Sequence, residues 1–190
     1  MQEIITPRLS LRLMTEEFLE ACLMEDAKKA ESLLGLKIPA DWFDEKDITE
    51  IRLDDYRADA GYIPWGLRGI GLRESSEMVG YINFHTCPNP EYLQDIAPHS
   101  VEIGYTIFLT QRRRGFAQEA LLGMMNWAIG QYPLESFIAS VAPTNLPSTA
   151  MVKKLRFEKV GEFDDAVDGL EFVYALAAEK LKSTGALIKF

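Results

Sequence analysis

One stretch of this chain leaves little freedom in how it can fold. Residues 101–120 read VEIGYTIFLTQRRRGFAQEA. The apolar, β-branched first half predicts a strand over 101–109, and the run after it predicts an amphipathic helix over 115–131. Between them stand Arg112, Arg113, Arg114 and Gly115, and Phe116, Ala117 and Gln118 open the helix. A helix start has several backbone N–H groups without partners and carries the positive end of the helix dipole. Glycine lets an anion approach the backbone closely. The pattern therefore predicts an anion site at 112–118, shaped for a diphosphate. The competing reading of the three arginines is a solvated turn.

Composition narrows the partners. A chain of 190 residues with 47% hydrophobic and 26% charged residues fits one soluble globular domain with a real core. A net charge of −9 argues against nucleic acid as the main partner, because phosphate backbones need a basic face. It leaves room for a cationic substrate such as an amine. Cys22 and Cys87 show no CxxC or metal spacing and read as free thiols in a reducing compartment. His85 and His99 are isolated along the sequence and read as structural or surface residues, so no metal is expected. The opening MQEIITPRLSLRL carries charge where a signal peptide needs an apolar run, and no segment approaches the ~20 apolar residues of a membrane span. A cytoplasmic protein with no membrane partner is expected.

Leu9, Leu11 and Leu13 alternate with polar residues, so 8–14 reads as a half-buried strand, and Thr15 reads as the N-cap of a helix over 16–25. A second helix covers 27–34 and ends at Gly35. The segment 36–43 reads as a loop. A helix over 46–59 follows, with Ile48, Ile51 and Tyr56 on one face. Strands at 65–73 and 78–85 flank a hairpin turn, and the proline-rich stretch 86–100 reads as a surface loop. After the central unit come a strand at 136–142, a helix at 147–155 and strands at 157–163 and 170–177. The apolar end 183–190 adds a strand or packs on a partner; the sequence leaves both open.

Three phosphate-binding patterns compete for the turn. A P-loop needs GxxxxGK[ST], which is absent. A dinucleotide fingerprint needs GxGxxG, and Gly69-Ile70-Gly71 lies in a strand without a third glycine. The third pattern, [Q/R]-x-x-G-x-[G/A], is met by Arg112, Gly115 and Ala117. On these residues the chain resembles the GNAT superfamily of acyl-CoA-dependent N-acetyltransferases. VEIGYTIFLTQRRRGFAQEAL, Asn145-Leu146-Pro147-Ser148, Lys154-Leu155-Arg156-Phe157 and ITPRLSLRLMT together look like its RimJ/RimL-like branch of ribosomal-protein N-terminal acetyltransferases. The likeness covers about residues 5–178. Arg156 departs from it, standing where the family usually has glycine.

The resemblance implies an α+β fold with a mixed, mostly antiparallel sheet of six to seven strands, splayed in the middle and flanked by helices on both faces. It implies one domain over 5–178, with 179–190 as a tail. Acetyl-CoA would be the cosubstrate, with its diphosphate on the amides of Arg113–Gln118 and the arginines adding charge. Backbone N–H groups at Ile107, Phe108 and Leu109 would polarise the thioester, and Asn145 would bond the pantetheine arm. Ser148 would give a proton to the leaving thiolate, or serve as a helix cap; Tyr174 is a more distant acid. Glu102, on a mostly buried strand, is the candidate base, directly or through water, or else sits at an edge or in a salt bridge. The acceptor would be a primary amine: a protein or peptide N-terminus first, a small amine second. Helices 16–59, the aromatics Trp42, Phe43 and Trp65, and loop 86–100 would choose it, although Trp42 and Phe43 read as packing rather than as a cage. Monomer and homodimer both remain open. The rival is a sensor or interaction module that binds acyl-CoA without turnover.

Overall fold

The computed structural model describes residues 3–165 and 169–183. The apolar end at 184–190 lies outside the described residues. Two compact units share the central strand and the central helix. The first holds residues 3–84 and 105–124, and the second 85–104 and 125–183.

In the first unit β1 (Ile4–Ile5), β2 (Leu9–Leu13), β3 (Arg68–Leu72) and β4 (Met78–Phe84) form an antiparallel meander. The later half of β5 (Ser100–Ile107) continues from it, with the Phe108 amide donating to Val79 O at 3.0 Å. Four helices intervene between β2 and β3: α1 (Glu16–Leu23), α2 (Ala27–Leu34), α3 (Ala40–Phe43) and α4 (Lys46–Ala58). Alternation along β2 and β3 divides them over two faces. A Cβ on Gly71 would stand 2.4 Å from Leu36, so that face carries the α2 side of the unit. The other face carries α5 (Phe116–Gln131): a Cβ on Gly123 would stand 2.6 Å from Thr6 and within contact of Leu11.

The local signals hold. Thr15 caps α1 by accepting from the Phe18 amide, and Gly35 closes α2 at φ +69°. The Arg12 guanidinium donates to Leu34 O and Gly35 O, placing a cation at the helix C-terminus. Other expectations need correction. Residues 36–43 are not all loop: α3 follows Pro39 and buries Trp42 against Phe18 and Tyr81, with ring centroids 6.1 and 5.4 Å away. The packing reading of Trp42, preferred over a cage, matches its burial. The buried face of α4 is Thr49, Leu53 and Tyr56, whereas Ile51 is 52% exposed. Thr49 is tolerated inside because its hydroxyl donates to Glu45 O at 2.8 Å.

In the second unit the order is β5 (residues 100–104), β6 (Ser136–Val141), β8 (Gly169–Ala177) and β7 (Glu158–Asp165). The parallel pairing of β5 with β6 covers Ser100, Val101 and Glu102 against Ser136, Phe137 and Ile138, and stops there. β6 runs on beside β8 as far as Val141 opposite Phe172. With β1 counted, the described residues contain eight strands rather than six or seven. A two-residue strand is too short to show a period in sequence. The β4–β5 loop is also more than a surface excursion. It makes a 3-10 turn at Glu91–Leu93 and buries Leu93 and Ala97 against Ile138 and Val173. α6 (Leu146–Lys154) follows β6, and β8 leads into α7 (Ala178–Ser183), within what the sequence marked as tail. At 156, where a glycine was expected, Arg156 itself takes the left-handed conformation, φ +64°. Its neighbour Phe157 closes the end of α6 by donating to Val152 O.

Candidate active site

The residues singled out in the sequence fall into two groups, one in each unit. The first is the turn at 107–118. Leu109–Gln111 form a 3-10 turn, and Arg112 leaves it extended, its Nε donating to Ile107 O at 2.9 Å. Arg113 and Gly115 both adopt positive φ, +61° and +80°. That pair of left-handed residues turns the chain sharply into α5. Among the described residues, none of the amide N–H groups of 113–118 has an acceptor within the protein. Residues 112–115 are exposed. A row of open amides at a helix start, beside three arginines, has the chemistry to hold a diphosphate. The Phe108 amide is the exception in the candidate set, since Val79 O already takes it. N–H groups alternate in direction along a strand, so that of Ile107 points to the opposite edge.

Sequence reading missed what braces this turn. Phe116 is buried between two guanidinium groups, with Arg8 Cζ 4.9 Å and Arg114 Cζ 4.8 Å from its ring centroid. Arg8 also donates to Arg114 O at 3.0 Å. Glu119, in the first turn of α5, accepts from Thr6 Oγ1 at 2.6 Å and from the Arg8 amide and Nε at 2.7 and 2.6 Å. Burial would raise its carboxyl, but these bonds outweigh it and hold the group below the usual carboxylate range. The negative charge nearest the open amides is thereby neutralised. A cleft of about 450 Å³ adjoins the turn, with Arg8, Arg73, Arg114 and Glu74 on its walls.

The second group surrounds Glu102, which is 4% exposed. Tyr92 donates its hydroxyl to Glu102 Oε2 at 2.7 Å, and His85 Nδ1 lies 3.6 Å from the same oxygen. Burial pushes the carboxyl up, but His85, Ser140 and Tyr92, all presenting protons, outweigh it and hold it at about 2. Glu102 is thus not alone on its strand: a tyrosine and a histidine face its carboxylate. Neither partner was legible: Tyr92 sat in a presumed surface loop, and His85 had no neighbour at ligand spacing. Asn145 caps α6, its Oδ1 accepting from the Ser148 amide at 3.2 Å. The cap role therefore belongs to Asn145, and the half-buried Ser148 hydroxyl is left for other work. Tyr174 is buried on β8 opposite Ala139.

A family model described as an acetyltransferase (GNAT) domain matches residues 8–158. The chain belongs to the GNAT acetyltransferase family. Among curated GNAT-type relatives, the uncharacterized N-acetyltransferase YnaD of Bacillus subtilis is 25% identical over 114 residues, 57% of this chain and 62% of that protein. The chain thus spans about three fifths of the length of the curated relatives that head the comparison. An acetyltransferase (GNAT family) from Bacillus anthracis has the same fold: TM-score 0.61, 19% identity, with 94% of this chain and 99% of that one covered. So has RimL, the ribosomal L7/L12 alpha-N-protein acetyltransferase in complex with coenzyme A, with TM-score 0.61, 18% identity and coverage of 93% and 98%. Among the described residues of this GNAT chain, no helix is long and apolar enough to cross a membrane, and no cluster of His, Cys, Asp or Glu is arranged to hold a metal ion.

Proposed function

We propose that this protein transfers the acetyl group of acetyl-CoA to a primary amine, as a RimJ/RimL-like N-acetyltransferase. The observation that carries the reading is the row of open amides at 113–118, bent outward by left-handed Arg113 and Gly115. Each charge-assisted bond from such an amide contributes about 1.5–3 kcal/mol. In this reading Arg113–Gln118 hold the diphosphate, with Arg112 setting the turn through its bond to Ile107 O. The arginine-walled cleft beside them is suited to the remaining phosphate of the same cosubstrate. The amides of Ile107 and Leu109 polarise the thioester carbonyl. Asn145 keeps its amide N–H₂ free of its capping duty, for the pantetheine arm.

Acetyl-CoA supplies an activated acyl group on a good leaving sulfur. The chain's own residues hold it, move protons and orient the amine. Glu102 anchors the proton-accepting side, and Ser148 protonates the departing sulfur. The amine attacks directly, since neither cysteine sits in a nucleophile constellation: Cys22 is buried with its thiol against Trp42 Nε1 and pushed up to about 11. The acceptor is a peptide N-terminus first and a small amine second. Cys22 and Cys87, neither in a disulfide, fit the reducing cytoplasm.

The test is release of free thiol from acetyl-CoA with a panel of peptides and small amines. Turnover with any acceptor supports the reading. Tight coenzyme A binding without thiol release for any acceptor would make the protein a sensor instead.

A further inference from the structure

We propose that His85 is the group that takes the proton from the acceptor ammonium, and that Glu102 acts through it as a positioning residue. This rests on the acetyl-transfer reading above. Glu102 is poorly placed to do the work alone. It is buried, and its carboxylate is already occupied by Tyr92 and His85. A carboxylate so well stabilised as an anion is a weak base.

His85 has what Glu102 lacks. Its side chain is 40% exposed, against 6% for Glu102, so it can meet a substrate. The backbone holds it in register, the His85 amide donating to Glu102 O at 2.9 Å. Its Nδ1 faces the carboxylate at 3.6 Å, a separation that catalytic pairs without substrate commonly show before they tighten. Its other nitrogen lies over Gly104: a Cβ there would stand 2.5 Å from Nε2. Only glycine leaves room for the ring in this position. The ring therefore sits at the stretch of β5 just past Glu102, the last residue of β5 paired with β6. The groups gathered here include Glu102 of β5 at the ring and, on that carboxylate, Tyr92 from the β4–β5 loop and the Ser140 hydroxyl of β6.

A proton on Nδ1, directed at the carboxylate, leaves the lone pair of the neutral ring on Nε2. Nε2 takes one proton from the acceptor ammonium and later gives it to solvent. The freed amine lone pair forms the C–N bond to the acyl carbon, and the C–S bond breaks. The second proton lost by nitrogen balances the one that ends on sulfur, giving amide and free thiol. An α-amine, pKa ~8, gives up its proton at neutral pH far more readily than a lysine side chain, pKa ~10.4, so the acceptor class a single-base site favours is a weakly basic amine such as a peptide N-terminus.

Two measurements decide. His85→Gln should leave acetyl-CoA affinity within about twofold while kcat/KM falls about 100-fold or more. The acidic limb of its pH–rate profile should vanish, and added imidazole should restore part of the rate. An unchanged rate with the wild-type acidic limb overturns the proposal. The second needs no variant. The chain holds two histidines, so nitrogen NMR resolves each ring. Neutral His85 should carry its proton on Nδ1; a proton on Nε2 instead overturns the proposal, because that nitrogen could not then accept one. Wild-type protein that releases no thiol with any amine removes the acetyl-transfer reading itself. An active wild type with an indifferent His85→Gln removes only this base.

Discussion

Replacing Glu102 by glutamine isolates the charge of one buried group without changing its shape. The carboxyl is held at about 2, against an ordinary value of 4.5. Each unit of pKa corresponds to about 1.4 kcal/mol, so the native state favours the ionised form by about 3 kcal/mol at neutral pH. The sign follows from the direction of the shift. A depressed carboxyl stabilises the fold fully above its unfolded value, and loses that contribution as pH falls toward the folded one. Glutamine keeps an acceptor for the Tyr92 hydroxyl, so part of the loss is recovered. Glu102→Gln should therefore be less stable than wild type by about 2–3 kcal/mol at pH 7. The gap should narrow by about 1 kcal/mol at about pH 3.5. Urea unfolding of both proteins at the two pH values, followed by circular dichroism, reads this directly. A gap that is the same at both values would refute the reasoning, since the charge would then contribute nothing.

Gly115→Trp should cost the fold about 1–2 kcal/mol, because residue 115 sits at φ +80°. It should weaken acetyl-CoA binding by calorimetry about 100-fold or more, since the nearest atom to a Cβ there is Arg8 Nη2 at 3.4 Å, in the cleft wall. Retained affinity would take the diphosphate away from this turn. Ser148→Ala should lower kcat about tenfold or more with little change in KM, and an unaltered kcat would leave Ser148 without a part in proton transfer. Arg156→Gly should relieve about 1–2 kcal/mol of left-handed strain and lose about 0.5–1 kcal/mol to the freer unfolded chain. The melting temperature should rise by about 1–2 °C, and a fall would mean the arginine side chain makes contacts that outweigh its backbone.

What could be read in the sequence was local. Thr15 and Gly35 announce helix ends because their chemistry acts within a few residues. The 101–131 unit announces itself because an apolar strand, a polar turn and a long helix-forming run follow one another without a break, although the helix is apolar on most sides rather than amphipathic. What stayed hidden depends on residues far apart along the chain. His85 meets Glu102 only because the start of the β4–β5 loop lies beside the first half of β5. Arg8 meets Glu119 across 111 positions. Thr49 was passed over because its burial depends on a hydroxyl bond that no hydropathy pattern records.

The corner at Thr6–Arg8 carries a practical consequence for anyone trimming or tagging this protein. Its bonds to Glu119 act as an electrostatic shield one turn from the phosphate-ready amides. Deleting the opening residues through Arg8 would unmask a carboxylate beside the very place where an anion must land. Such a shortened product would lose its cosubstrate twice over, by baring that carboxylate and by taking Arg8 out of the cleft wall.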